Sequence, residues 1–257
     1  MENNTRMNDE RCYSNRVRIQ PWWTDWRGCC RWSVLNEVLQ DTAGEHSRRE
    51  GFGVNALDGT GRTWVLSRMC VEMKEMPRQH DDVVVTTWVE RVCRMFSFRD
   101  FRIDASDGRT LGYARSVWAV IDLQTRAPYN LSDLYGQPFL DRVVPPQVIA
   151  CPIQGVGTMR QGLMDEVMHH TVGYADLDIN GHMHSVRYVE HMLDLFPATY
   201  HRDHPLQRLE IAYHDEALDG EVLTFLRTPN TPENHTWGVD VCRAGVTLCQ
   251  ARLVFGS

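Results

Sequence analysis

No apolar run in this chain approaches the roughly 18–20 residues that a helix needs to span a bilayer, so a helical membrane protein is excluded. Lysine is nearly missing: Lys74 is the only one among 27 basic residues. Arginine is the better bidentate partner for phosphate and carboxylate, although arginine-rich codon usage explains the bias as simply. Excess basic charge is also missing. Against 34 acidic residues the formal charge is −7, which argues against a general nucleic-acid binder that must displace counterions. The eight cysteines include no C-x-x-C pair, which removes the zinc-ribbon and thioredoxin-type readings. The first sixteen residues, MENNTRMNDERCYSNR, are polar, contain acids and have no apolar centre, so they do not read as a signal peptide. A cytoplasmic location and reduced thiols are therefore expected, with most cysteines acting as small core residues. There is no G-x-S-x-G elbow, no H-E-x-x-H and no Walker loop. Gly155-Val156-Gly157-Thr158-Met159-Arg160 begins like a dinucleotide loop but lacks the third glycine.

What is present is an ordinary globular composition that repeats itself. The 257 residues are 42% hydrophobic and 24% charged, enough for one large domain or two small ones. Near the start, Trp23-Thr24-Asp25 leads through a turn to a helical stretch from Ser33 to about Arg49. Val34, Leu35, Val38, Leu39 and Ala43 fall there at helix spacing, and Ser33 is the expected N-cap. Tyr174-Ala175-Asp176 opens a second copy, with a helix from about Ser185 carrying Val186, Val189, Met192, Leu193 and Phe196, and Pro197 ending it. The pairing of Asp25 with Asp176 gives an offset of 151 residues. Four strand-like stretches follow each helix, near 63–76, 82–93, 95–104 and 110–123, then near 207–216, 220–228, 236–243 and 246–255.

A helix with so much apolar surface must be buried, and a one-sided antiparallel sheet supplies the cover. The expected fold is therefore α+β, a tandem or double hot-dog, each half a curved antiparallel sheet wrapped around a long central helix. The expected layout is a polar leader over 1–16, an N-terminal hot-dog over 17–140, a linker over 141–165 and a C-terminal hot-dog over 166–257.

The stretch Tyr174-Ala175-Asp176-Leu177-Asp178-Ile179-Asn180-Gly181-His182-Met183 resembles the Asp-x-Asn-x-His signature of acyl-ACP thioesterases, and Arg187-Tyr188-Val189-Glu190 resembles the Tyr-containing helix after it. Leu39–His46, Trp64–Arg68 and Phe98–Phe101 look like the N-terminal half of that family, so the resemblance covers nearly the whole chain. It implies catalytic roles for Asp178, Asn180 and His182, and for Glu216 in Tyr213-His214-Asp215-Glu216-Ala217. It also implies an acyl carrier protein bearing acyl-phosphopantetheine as partner, and an N-terminal half that holds the acyl tail. Two departures stand out. Plant members carry Cys where this chain has Ala217, so that thiol cannot be essential here. His184-Ser185 replaces a frequent Asn pair, with Ser185 left to cap the helix.

Thioester hydrolysis needs an activated nucleophile, a donor for the oxyanion and an acyl pocket. If residues 178–182 are extended, alternation turns Asp178, Asn180 and His182 to one side. Glu216 and His182 would orient and deprotonate a water that Asn180 positions. Asp178 would either orient its neighbours or attack the carbonyl itself, and both routes stay open. Loop shaping is the plain alternative, since Asp, Asn and Gly are turn formers.

Trp22, Trp23, Trp26, Trp32 and Trp64 are candidates for the acyl pocket or for core packing. Glu45 and His46 sit where some single hot-dog thioesterases place a catalytic Glu. Arg48, Arg49, Arg68, Arg91 and Arg94 are candidates for a local basic patch toward the acidic carrier. His169, His170, His182, His184 and His191 show no clear ligand set, so neither a metal nor a cofactor is expected. An acyl-CoA thioesterase and a non-catalytic acyl-binding hot-dog protein are the alternatives, and the assembly is expected to be a monomer or a homodimer.

Overall fold

The computed structural model describes residues 9–157, 159, 164–229 and 235–256. The chain divides into two compact units, one of residues 1–67 and 73–154, the other of residues 68–72 and 155–257. The described part of the first unit opens with strand β1 (Tyr13–Arg18), which starts within the expected leader and runs past its end, and continues with helix α1 (Trp32–Arg49). Four strands follow: β2 (Arg62–Met73), β3 (Asp82–Cys93), β4 (Phe96–Ala105) and β5 (Thr110–Asp122). Two short helices, α2 (Leu131–Tyr135) and α3 (Gln137–Leu140), close it. Its strands run in the order β1-β3-β4-β5-β2. Helix α1 packs against β1 and β3, burying Leu35 and Leu39 with Val85, Phe101 and Ile103. A smaller cluster gathers Leu57, Val120, Leu131 and Phe139 under Phe52, Trp64 and Tyr135.

The second unit repeats the plan with β6 (Asp165–Thr171), helices α4 (Ser185–Asp194) and α5 (Ala198–Asp203), and strands β7 (Leu206–Tyr213), β8 (Val222–Arg227), β9 (Thr236–Arg243) and β10 (Val246–Phe255). Its order is β7-β10-β9-β8-β6, with Arg68–Glu72 of β2 added antiparallel beside β7. Helix α4 buries Val186, Val189 and Met192, and the sheet buries Ile211, Phe225, Val239, Val241 and Leu253. Each unit is a hot-dog, so the fold is α+β as the pattern implied. Among the described residues no helix is long and apolar enough to cross a membrane.

Local chemistry moves several boundaries. Ser33 is buried in the first turn of α1 and does not cap it; Arg31 is the N-cap residue, with no side-chain cap bond. His184, not Ser185, caps α4, its Nδ1 accepting the Val186 N–H at 3.3 Å. Pro197 follows the end of α4 and starts α5 as its N-cap, a place where fixed φ and a missing N–H are tolerated. Strand β7 stops at Tyr213 because the His214 and Asp215 N–H groups both turn to one acceptor, the Leu248 carbonyl, at 2.8 and 3.2 Å. The β9–β10 connection is a tight hairpin in which Ala244 and Gly245 both have positive φ, +47° and +82°.

The repeat offset also shifts. The Asp25 N–H donates to the Cys29 carbonyl at 2.8 Å, and the Asp178 N–H donates to the His182 carbonyl at 2.8 Å. The Ile19 N–H bonds the Asp81 carbonyl as the Val172 N–H bonds that of Glu221, both at 2.9 Å. Asp25 therefore corresponds to Asp178 at an offset of 153, and Asp176 corresponds to Trp23. The pattern Asp-turn-helix occurs once per unit, but two aspartates two residues apart in the second unit made the sequence register ambiguous.

Candidate active site

Residues 178–182 form a turn rather than the extended segment that alternation required. The Gly181 N–H donates to the Asp178 carbonyl at 3.0 Å, and Gly181 takes a φ of +77°, which glycine adopts without a side-chain penalty. Asp178 Oδ1 accepts the backbone N–H groups of Asn180 at 2.8 Å and His182 at 3.1 Å. Asn180 is exposed, and its Nδ2 reaches back to Asp178 Oδ2 at 3.4 Å. The carboxylate of Asp178 is thus spent largely on organising the loop.

The segment carrying Glu216 meets this turn through the backbone. The Met183 N–H donates to the Ala217 carbonyl at 2.8 Å, and His182 forms an isolated antiparallel bridge with Leu218. That register sets His182 Nδ1 3.5 Å from Glu216 Oε1, with the two side chains 27% and 33% exposed. Arg243 fixes the acidic segment by donating to the Glu216 carbonyl at 3.0 Å and pairing with Asp215 and Glu221, each at 2.9 Å. A partly exposed imidazole beside a carboxylate can take a proton from a bound water and return it to a leaving group. Ala217 is fully buried, and its contribution is the carbonyl that anchors the turn.

The first unit builds the same turn without that chemistry. Asp25 Oδ1 accepts the N–H groups of Arg27 at 2.8 Å and Cys29 at 3.2 Å, Gly28 has a φ of +73°, and the Cys30 N–H bonds the Pro77 carbonyl at 2.8 Å. In this frame Asn180, His182 and Glu216 correspond to Arg27, Cys29 and Met76. The turn-forming Asp and Gly are common to both turns, and the Asn, His and Glu are not.

The chain matches the family model of the acyl-ACP thioesterase N-terminal domain over residues 10–139, and that of the C-terminal domain over residues 162–256. It belongs to the acyl-ACP thioesterase family. A crystal structure of an acyl-ACP thioesterase from Bacteroides thetaiotaomicron is 36% identical and superposes with a TM-score of 0.87, covering 95% of this chain and 98% of that one. The 12:0-ACP thioesterase from Umbellularia californica shares the fold, with a TM-score of 0.83 at 18% identity over 96% and 98% of the two chains. The oleoyl-acyl carrier protein thioesterase 2 of Arabidopsis thaliana is 26% identical over 215 residues, 77% of this chain and 58% of the relative. The chain therefore spans somewhat under two thirds of that plant relative's length.

The structure sorts the other candidate residues of this thioesterase-family chain. Trp22 and Trp26 are largely exposed, because they lie in and just after the short 3-10 turn Pro21–Trp23, and Trp32 is buried in α1. Of the five tryptophans, Trp64 lines one pocket of the first unit, with Trp118, Phe139, Ser97 and Arg99. Arg99 is buried and pairs with neutral partners, donating to His46 Nδ1 at 2.8 Å and to Ser47 Oγ at 3.0 Å. Burial, then the Arg99 charge, pushes His46 down to about 3, so it stays neutral. Hydrogen bonds from Arg48 and Arg49 hold Glu45 at about 2, which removes it as a general base near neutrality and occupies both arginines. Three groups that the sequence did not bring together converge: His170 from β6, Asp176 from the turn before the Asp178 loop, and His191 from α4, with donor atoms within 4.8 Å of one another. Asp176 was the missing member, hidden by its assignment to the repeat rather than to a site.

Proposed function

We propose that this chain is a thioester hydrolase that cleaves acyl-ACP to a free fatty acid and holo-ACP. The observation that carries the reading is the His182–Glu216 pair, set at 3.5 Å on the family's signature turn and replaced by Cys29 and Met76 in the sister unit. His182, with Glu216 beside it, takes a proton from water as the oxygen attacks the thioester carbonyl. The exposed Asn180 amide, which carries a second N–H besides the one turned to Asp178, is the available donor for the oxyanion that forms. Collapse breaks the C–S bond, and the proton held by the pair passes to the phosphopantetheine thiolate, leaving carboxylic acid and thiol. The repeated turn supports water rather than Asp178 as the nucleophile, since Asp25 makes the same two backbone bonds in a unit without the His and Glu.

The test is thiol release from panels of acyl-ACP and acyl-CoA. His182→Ala is expected to lower kcat by roughly 10²–10⁴-fold while remaining folded. Asp178→Asn keeps an oxygen acceptor for both N–H groups and should retain activity within about tenfold of wild type, whereas Asp178→Ala should lose far more. An inactive, folded Asp178→Asn would restore the nucleophilic route. Turnover of acyl-CoA alone would replace the carrier assignment, and binding without turnover would leave an acyl-binding protein.

A further inference from the structure

The second unit holds a polar triad where the first unit is apolar. At the offset of 153, His170, Asp176 and His191 correspond to Val17, Trp23 and Val38. An apolar set therefore suffices to pack this corner of the fold. Asp176 is buried, with a side-chain exposure of 9%, against 25% for His170 and 19% for His191. Placing a carboxylate and two imidazoles there carries a desolvation cost that the sister unit avoids. The arrangement is also directed. His170 Nε2 lies 2.8 Å from Asp176 Oδ2 and His191 Nε2 lies 3.1 Å from Asp176 Oδ1. The two rings lie side by side, centroids 3.8 Å apart, so both nitrogens face one carboxylate.

We propose that His170, Asp176 and His191 bind a divalent transition-metal ion of the zinc class. Two imidazoles and one carboxylate are a donor set suited to zinc, ferrous iron and cobalt. An ion about 2.0–2.2 Å from each donor needs donors roughly 3–3.5 Å apart, close to the two nitrogen–oxygen separations of 2.8 and 3.1 Å. All three donor atoms lie within 4.8 Å of one another. The Gly173 N–H holds Asp176 Oδ2 at 3.0 Å, the kind of supporting bond that orients a ligating carboxylate. Neighbouring histidines are engaged elsewhere: His184 Nδ1 caps α4, and His169 Nε2 lies 2.7 Å from Glu166. Three protein ligands at a partly exposed site leave coordination positions for water. The Asp176 carbonyl accepts the His184 N–H at 2.8 Å, so a bound ion ties β6 and α4 to the root of the catalytic turn.

This inference does not rest on the hydrolase reading, and metal uptake is its readout. Chelator-stripped, full-length protein is titrated with Zn²⁺ by calorimetry and with Co²⁺ by visible absorption, beside His170→Val/His191→Val, which installs the sister unit's residues, and Asp176→Asn. Circular dichroism verifies that each variant is folded. The expected result is saturable uptake with one equivalent more in wild type than in either variant. A rise in wild-type Tm with Zn²⁺, absent in the folded variants, is also expected. Equal uptake by wild type and variants, or no saturable uptake by wild type, overturns the proposal in favour of a hydrogen-bonded triad alone.

Discussion

Asp178 and Asp25 show how one residue type serves two levels of organisation. Each accepts the backbone N–H groups two and four positions ahead, and that local bonding is encoded by the Asp-x-x-Gly spacing itself. Whether the turn performs chemistry depends on residues brought from elsewhere, Glu216 in one unit and Met76 in the other. His46 gives a second residue-scale consequence. It is held at about 3 in the folded chain against an ordinary value of 6.5. Below about 6.5 the unfolded chain takes up a proton that the folded chain refuses, so stability from this group is complete above that pH and lost as pH falls toward 3. Urea melts should show a loss approaching about 1.4 kcal/mol per pH unit across that window, reduced in His46→Gln. Equal slopes in the two proteins would mean that His46 is protonated within the fold.

At the scale of elements, the strand spans in the sequence lie within a few residues of the observed ones, because β-branched runs and Asp-Gly or Ala-Gly turns carry local signals. β3 and β9 coincide with the expected limits, whereas β7 ends three residues early. That end is set by a tertiary acceptor, the Leu248 carbonyl shared by two donors, which no local pattern announces. Caps were misplaced for a related reason: a histidine can cap through Nδ1, and a buried Ser33 can sit inside a helix. The β9–β10 hairpin offers a test. Ala244 holds a φ of +47°, a region that costs a non-glycine residue about 1–2 kcal/mol and that Asn tolerates better. Ala244→Asn should stabilise the protein by about 0.5–1 kcal/mol in chemical denaturation, and an unchanged or lower midpoint would show that the turn carries no such strain.

For the whole molecule, the chain is a duplication whose units are not cut at one point. Arg68–Glu72 come from β2 yet belong to the second unit, paired with β7 from Arg68↔Ala212 to Glu72↔Arg208. Glu72 also pairs with Arg208 at 2.7 Å. A fragment of residues 155–257 lacks this strand and exposes the β7 edge with its apolar face. It should aggregate or give a weak, broad melt by circular dichroism and light scattering. A monomeric fragment with a cooperative melt would show that the borrowed strand is dispensable.

The sequence by itself determined the α+β class, the twofold repeat and the two central helices, because hydrophobic period is a local property of the chain, and it left residues 178–182 open between an extended segment and a turn. Only the tertiary structure decided the register of the repeat, the pairing of His182 with Glu216 across the Met183–Ala217 bond, the exposure of Trp22 and Trp26, and the convergence of His170, Asp176 and His191. Each of these depends on residues far apart in sequence being held at a distance of a few ångströms, and that distance is set by strand pairing and helix packing rather than by any neighbour along the chain.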